Sequence, residues 1–364
     1  KFLMNKPTLF FAAALLGTAF ALSGCGDTSK AGSARNVIKV RMGFDEDTIV
    51  TRLADSLGYF QQEGVEIVPV DIMEFAKEDY LFLEPMNKGQ VDAYYHWFNH
   101  TVFGARHGFP VQAVIMFNDS PSMKVLVANR VKDEIKSAAD FRGRNVAEGA
   151  GYATKAVLTG YLARKAGLPP QSYTSLNHPK EGRLEAVLSD LRAGKVDVMN
   201  FQEPVTSGLL ESNLTSELYD LNTREGTVRA LGAPFPAQSI LMAPQFIKDH
   251  PDTVQRLVNA YVRAMRYINT HTLDEIVANL PASYFANKDR QAEIKYIQNT
   301  LSSYARGDYS FSPDAVRLAV DAMLTASFDS SAEGIWRATG DASKVKDEQL
   351  YTNEFVTKAM REIK

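Results

Sequence analysis

From Val37 onward, short apolar runs alternate with stretches whose apolar residues recur every three or four positions, the pattern of a chain that alternates strands with helices. Val37 to Gly43 reads as a strand, Ile49 to Glu63 as a helix and Val65 to Ile72 as a second strand, a βαβ opening that predicts a parallel sheet. Tyr80 to Lys88 and Thr101 to His107 follow as helices, with strands at Val91 to Tyr95 and Val111 to Phe117. After a strand at Met123 to Ala128 the pattern restarts. It gives a helical turn at Asp140, strands at Asn145 to Ala147, Val196 to Asn200 and Glu217 to Leu221, and helices at Thr154 to Ala166, Arg183 to Ala193 and Pro204 to Glu211. Ala237 to Met242 is a last strand, and the remainder is helical. Pro251 opens a helix whose Val254, Leu257, Val258, Tyr261, Met265 and Ile268 share a face. Further helices cover Thr272 to Leu280, Lys288 to Tyr304, Pro313 to Ala326 and the end from Asn353. The pattern predicts a second α/β unit nested inside the first. Met123 to Ala128 and Ala237 to Met242 are then the only crossings between lobes, which is a hinge.

The first residues follow a different rule. Met4 reads as the start, Lys6 as a positive flank, and Leu9 to Leu22 as an apolar segment too short to span a membrane comfortably. It ends in Leu22, Ser23, Gly24 and Cys25, which looks like a bacterial lipobox, so that residues 1–24 form a signal peptide and Cys25 becomes the lipidated first residue. Durable attachment then needs more than one acyl chain. Cys25 is the only cysteine, so the expected mature chain has no disulfide and no thiol for catalysis. Residues 25–36, rich in Ser, Gly, Ala and Thr, read as its tether.

Composition sets limits without naming a function. At 364 residues, 45% hydrophobic and 23% charged, the chain suits two domains of ordinary size. The formal charge is −3, and it becomes −5 without the leader, which holds two lysines and no acid; nothing suggests a nucleic-acid partner.

The most suggestive local pattern runs from Gly143 to Gly167: a strand, small residues at Gly149, Ala150 and Gly151, then a helix. Small residues admit a ligand close to the backbone, and the free amides of the first turn from Tyr152 favour an anion. Every α/β protein contains such units, so the segment equally serves as a connection. Thr154 and Lys155 stand in the reverse of the phosphate-loop order, which disfavours a nucleotide.

Several segments in this order resemble one family. They are LADSLGYFQQEGVEI (Leu53 to Ile67), GQVDA (Gly89 to Ala93), IKSAADFRGRNVA with the glycine turn (Ile135 to Gly151), LRAGKVDVMNFQEP (Leu191 to Pro204) and FIKDHPDTVQRLVNAYVRAMRYI (Phe246 to Ile268). Together they resemble the substrate-binding proteins of ABC importers for nitrate, sulfonates, taurine and related compounds, whose fold is shared by pyrimidine-precursor binders. The likeness covers almost the whole chain after the leader. It implies the two-lobe periplasmic-binding-protein type II fold, with a ligand cleft between lobes and a helical C-terminal part packed on lobe I. The expected boundaries are 37–122 and 237–364 for lobe I and 123–236 for lobe II. Asp92 and Asp197 echo one another in GQVDA and GKVDV and read as turn or cap residues rather than ligand contacts.

Ligands of open α/β sheets bind beyond the carboxyl ends of strands. That rule nominates Phe44, Asp45 and Asp47, then Tyr95, His96 and Trp97, then Asn118 and Ser120 in the first lobe. In the second it nominates Gly151, Tyr152, Ala153 and Thr154, then Asn200, Gln202 and Glu203. Alternation along a strand favours Tyr95 and Trp97 for the cleft within the aromatic run from Tyr94 to Phe98. His96, His100 and His107 invite a zinc site, but no cysteine supports them and their spacing suits a metal only on a helix. Asp45 and Asp47 are not accompanied by an activated nucleophile, so neither hydrolysis nor a cofactor is expected.

The expected function is binding without chemistry. A lipid-tethered, monomeric receptor in the periplasm or on the outer cell surface closes on a small solute and passes it to the permease and ATPase of an importer. An organic anion such as a sulfonate or carboxylate ranks first and a neutral heterocycle second. Alternatives are a ligand-sensing lipoprotein reporting to a receptor, and a pyrimidine-forming enzyme, which the missing cysteine-rich segment disfavours.

Overall fold

The computed structural model describes residues 36–44, 48–71, 83–149, 153–178, 182–326 and 340–363. The leader, Cys25 and the tether before Asn36 lie outside them.

The chain opens with β1 (Ile38–Phe44), α1 (Ile49–Ser56), α2 (Tyr59–Glu63) and β2 (Val65–Pro69). One helix was expected between the strands. It breaks because Gly58 takes φ +71°, a left-handed conformation that turns the chain and that glycine adopts without strain. Next come α3 (Glu84–Asn87), β3 (Ala93–Trp97), α4 (Asn99–His107) and β4 (Gln112–Met116). The chain then enters a second sheet through β5 (Met123–Ala128), β6 (Asn145–Ala147), α5 (Thr154–Lys165), β7 (Thr174–Leu176), α6 (Arg183–Arg192), β8 (Val198–Gln202), α7 (Val205–Glu211) and β9 (Thr215–Leu221). After α8 (Arg224–Leu231) it returns with β10 (Gln238–Met242), followed by α9 (Pro244–Asp249), α10 (Pro251–Thr270), α11 (Leu273–Asn279), α12 (Arg290–Thr300), α13 (Pro313–Leu324) and α14 (Glu354–Glu362). β7 escapes a periodicity search because it is three residues long, lies at a sheet edge and has no buried residue.

The two sheets are ordered β2-β1-β3-β10-β4 and β7-β6-β8-β5-β9. Three strands of each, β2-β1-β3 and β7-β6-β8, are parallel as the βαβ pattern requires. The sheets are nevertheless mixed. β10 lies antiparallel to both β3 and β4, and β5 antiparallel to both β8 and β9. A parallel neighbour needs a crossover that carries the chain back to its starting end. β5 and β10 instead arrive from the other sheet and run the opposite way.

The helical C-terminal part packs on the first sheet. α10 buries Val254, Leu257, Val258, Tyr261, Met265 and Ile268 and lies against α1, α2 and α14. The Tyr261 ring meets Phe60 edge-on at 5.3 Å and Phe117 at 5.1 Å, while its hydroxyl lies 3.1 Å from Thr51 Oγ1. The second sheet buries Phe141, Leu158, Val187 and Phe201.

GQVDA and GKVDV perform the same task in the two sheets. Asp92 Oδ2 accepts from the Arg41 amide at 2.8 Å, and the Arg41 guanidinium donates to Gly89 O at 2.8 Å. Asp197 Oδ2 accepts from the Asn145 amide at 2.9 Å, and the Arg130 guanidinium donates to Gly194 O at 2.9 Å. Both aspartates fasten the start of a central strand to its neighbour, as turn and cap residues would.

Candidate functional site

A partly open pocket lies where the two sheets' crossing segments meet. It is lined from the first sheet by Tyr95, Trp97, Ala237 and Gln238, and from the second by Gln202 and Glu203. Residues after β4, including Asn118, Ser120 and Ser122, complete one side, and Thr48 with Ile49 at the start of α1 another.

β3 explains the aromatic side. Its alternate residues face opposite ways, so Tyr95 and Trp97 line the pocket while Tyr94 and His96 do not. Tyr95 stacks on Phe117 at 4.9 Å and donates its hydroxyl to Gln238 Oε1 at 2.9 Å. His96, nominated with them, is buried on the other face. Its ring stacks on His100 at 4.0 Å and meets Tyr94 edge-on at 4.7 Å. These histidines pack ring on ring, and among the described residues no group of three or more His, Cys, Asp or Glu could hold a metal ion.

The crossing segment is tied by side chains. Asn118 Nδ2 donates to Ser303 Oγ at 2.8 Å, and Ser120 Oγ donates to Asn222 O at 3.2 Å. Asn222 in turn donates to Asn299 O at 2.8 Å and Ser302 Oγ at 2.9 Å, so the C-terminal helices hold both passages between sheets. Asp119 is buried and paired with Arg224 at 2.7 Å; burial pushes its carboxyl up from the ordinary range, and the guanidinium opposes that.

On the second sheet, Gln202 and Glu203 line the pocket and are half-buried. Glu203 Oε1 accepts from Thr206 Oγ1 at 2.8 Å. Asn200, nominated with them, is instead fully buried and fastens α5 to β8, donating to Lys155 O at 3.0 Å and Thr159 Oγ1 at 3.1 Å. Phe44 pairs with Tyr95 at the end of β1 and does not line the pocket. Ala153 precedes α5, and Thr154 Oγ1 accepts from Asn99 Nδ2 at 3.2 Å, outside the pocket lining. Asp45, Asp47, Gly151 and Tyr152 lie outside the described residues.

The turn after β6 contains a buried acid, Glu148, that no strand-end rule nominates. Glu148 is 1% exposed, and burial raises its carboxyl to about 8 against the opposing pull of hydrogen bonds from Ser175, Thr159 and Tyr173 and the charge of Lys155. It is mostly protonated at neutral pH, and the Tyr173 hydroxyl beside it is held above its ordinary range, chiefly by burial.

The strand-end rule misses two groups of lining residues for identifiable reasons. Ala237 and Gln238 are at the start of β10, and an antiparallel strand brings its amino end to the face where its neighbours bring their carboxyl ends. Tyr296, Thr300, Ser303 and Tyr304 come from α12 and the turn after it, which no strand rule reaches. Thr48 and Ile49 were within reach, being the helix start that follows the nominated end of β1.

Solved structures share this architecture. A protein of Bordetella bronchiseptica RB50 aligns over 89% of this chain and 97% of its own with a TM-score of 0.66 and 23% identity. The alkanesulfonate-binding protein SsuA of Xanthomonas axonopodis pv. citri, bound to MOPS, aligns over 88% of this chain and 100% of its own, with a TM-score of 0.58 and 15% identity. The periplasmic nitrate-binding protein NrtA of Synechocystis PCC 6803 aligns over 90% and 89%, with a TM-score of 0.61 and 12% identity. No curated protein sequence matches the chain. The fold is the two-sheet α/β architecture of type II periplasmic binding proteins. The NMT1/THI5 like family model matches residues 47–272, a span that includes the second sheet's parallel strands β6, β7 and β8 and the crossing strands β5 and β10, and by that match the chain belongs to the NMT1/THI5-like family.

Proposed function

We propose that the chain is an extracytoplasmic solute receptor of an ABC importer, tethered through lipid on Cys25, which captures a small organic solute and delivers it to the permease. The observation that carries the reading is the pocket lined by residues of both sheets. A solute that touches both lobes favours their closed arrangement in proportion to those contacts. The likeness to structures named as sulfonate- and nitrate-binding proteins supports binding rather than catalysis. The proposed lobe boundaries lie at residues 122 and 236, with the two crossing strands as the hinge. Among the described residues no helix is long and apolar enough to cross a membrane.

An organic anion ranks first on the sequence because of the amides around Gly151 and Tyr152. Those residues are not among the described pocket lining.

The test is a thermal-shift screen of the full chain in detergent against sulfonates, carboxylates, organic amines, nitrate and pyrimidines. A solute at about a hundredfold over its dissociation constant stabilises by roughly 2.7 kcal/mol, a shift of a few degrees. Small-angle scattering should then show contraction with the same solute. A chain that responds to nothing in a broad metabolite panel contradicts the receptor reading. Cys25→Ser should release it from the membrane fraction of a bacterial host; retention there contradicts the tether.

A further inference from the structure

The charges around the pocket are lopsided. Among the described lining residues there is no Arg, Lys or His, and the only formally charged side chain is Glu203. One oxygen of that carboxylate, Oε1, is held by Thr206. The other, Oε2, is out of contact with solvent and takes no hydrogen bond among the described residues. A carboxylate oxygen withdrawn from water without a donor is costly, and a donor or cation supplied from outside relieves that cost.

The remaining wall is aromatic. Tyr95, Trp97, Tyr296 and Tyr304 all line the space. Aromatic rings present negative faces that attract ammonium and guanidinium-type groups, and several rings around one small cavity are the usual housing of an alkylated ammonium. Arg224, beside the crossing segment, is paired with buried Asp119 at 2.7 Å. At the start of α1 the Thr48 hydroxyl already accepts from the Thr51 amide at 3.0 Å. A sulfonate or nitrate placed here would meet Glu203 without a compensating charge among the described lining residues.

We infer that the pocket takes a compact organic cation, an alkylated ammonium or an amidinium, with Glu203 as its counter-charge and Trp97 and the tyrosines as its wall. This rests on the solute-receptor reading and gives it a sign. Glu203 sets specificity, because an anion is repelled by it and a neutral isostere leaves Oε2 unpaired. The cation's apolar body covers the rings while its charge meets the carboxylate.

The probes are two cations, benzyltrimethylammonium and benzamidine, and two anions of similar size, benzoate and benzenesulfonate. Each is titrated calorimetrically into the full chain in detergent, after refolding from urea to remove carried solute. The cations should bind and the anions should not. Glu203→Gln keeps the acceptor for Thr206 and should weaken cation binding by roughly thirtyfold or more, the usual cost of losing one partner of a desolvated charge pair. Trp97→Ala should weaken benzyltrimethylammonium by about tenfold. If either variant melts abnormally by circular dichroism, the comparison of cations with anions on the unaltered chain carries the test alone. Anion binding without cation binding overturns the inference, as does a Glu203→Gln chain that binds cations normally, and both leave the receptor reading standing. Silence toward both cations from a chain that binds another class in the broader screen also overturns it. Silence toward every probe in both experiments removes the receptor reading as well.

Discussion

In the first sheet Asp92 holds the Arg41 amide and Arg41 holds Gly89 O; in the second Asp197 holds the Asn145 amide and Arg130 holds Gly194 O. The guanidinium comes from the clamped strand itself in one case and from the second residue beyond β5 in the other, yet the aspartates occupy equivalent places before β3 and β8. The far ends of the same two strands share nothing. β3 finishes in Tyr95 and Trp97, whereas β8 leads into Gln202 and Glu203. One framework is used twice, with the starts of its strands keeping the architecture while their ends carry the chemistry. The second sheet adds a buried protonated acid, Glu148, at the end of β6.

That equivalence can be broken at several depths. Leu257 in α10 and Leu158 in α5 are each fully buried behind one sheet. Leu257→Ala and Leu158→Ala should each cost about 2–5 kcal/mol in denaturant unfolding, from lost burial plus the cavity left behind. Two separate transitions, each moved by only one of the substitutions, would show that the sheets unfold independently. A single transition moved by both would show that the passages through Asn222 couple them.

Glu148 distinguishes the sheets next. Its folded pKa of about 8 lies above the ordinary value of 4.5, so between those values the folded chain holds a proton that the unfolded chain has released. The stabilisation is complete below about pH 4.5 and is lost as pH rises to about 8, with a slope of at most about 1.4 kcal/mol per unit. Glu148→Gln should flatten stability between pH 5 and 8, leaving a dependence of the same sign from Asp119. An unchanged pH profile would show that Glu148 is ionised in the folded chain.

The two clamps should fail alike. Asp92→Ala and Asp197→Ala each leave a backbone amide of the neighbouring strand without its acceptor, at about 1–3 kcal/mol. The arginines are 44% and 40% exposed, so solvent screens the ion pairs and the amide bonds carry most of the effect. Loss from only one substitution would end the claim that the devices are equivalent. Last come the helix caps that follow β1 and β9. Thr48 accepts from the Thr51 amide and Thr223 from the Gly226 amide, so Thr48→Ala and Thr223→Ala should each lower stability by about 1 kcal/mol. Only Thr48 lines the pocket, so only its loss should also alter solute affinity in calorimetry.

Much of this molecule is legible in the order of its residues. The βαβ openings show in runs such as Ile38 to Phe44 between polar turns, and α10 in the spacing from Val254 to Ile268, because burial of one face imposes a period on the chain. The alternation in β3 separates Tyr95 and Trp97 from Tyr94 and His96 by the pleat alone. Asn200 escapes such reasoning. It belongs to the same strand as Gln202 and has the same polar character, but its amide is used by Lys155 and Thr159 of a helix 41 to 45 residues earlier.

Local patterning determined most of the strands and helices, that two α/β units are nested, and that the Gly-x-Val-Asp turns are structural, since each follows from periodicity and turn chemistry within a short stretch. The tertiary structure alone decided that β5 and β10 run against their neighbours, that the start of β10 and residues after α12 share a pocket with β3, and that Glu203 stands there without a described cation. Strand direction depends on which sheet the chain has just left, and the surroundings of a carboxylate depend on segments that meet only when the chain folds. Neither is written into any one stretch of sequence.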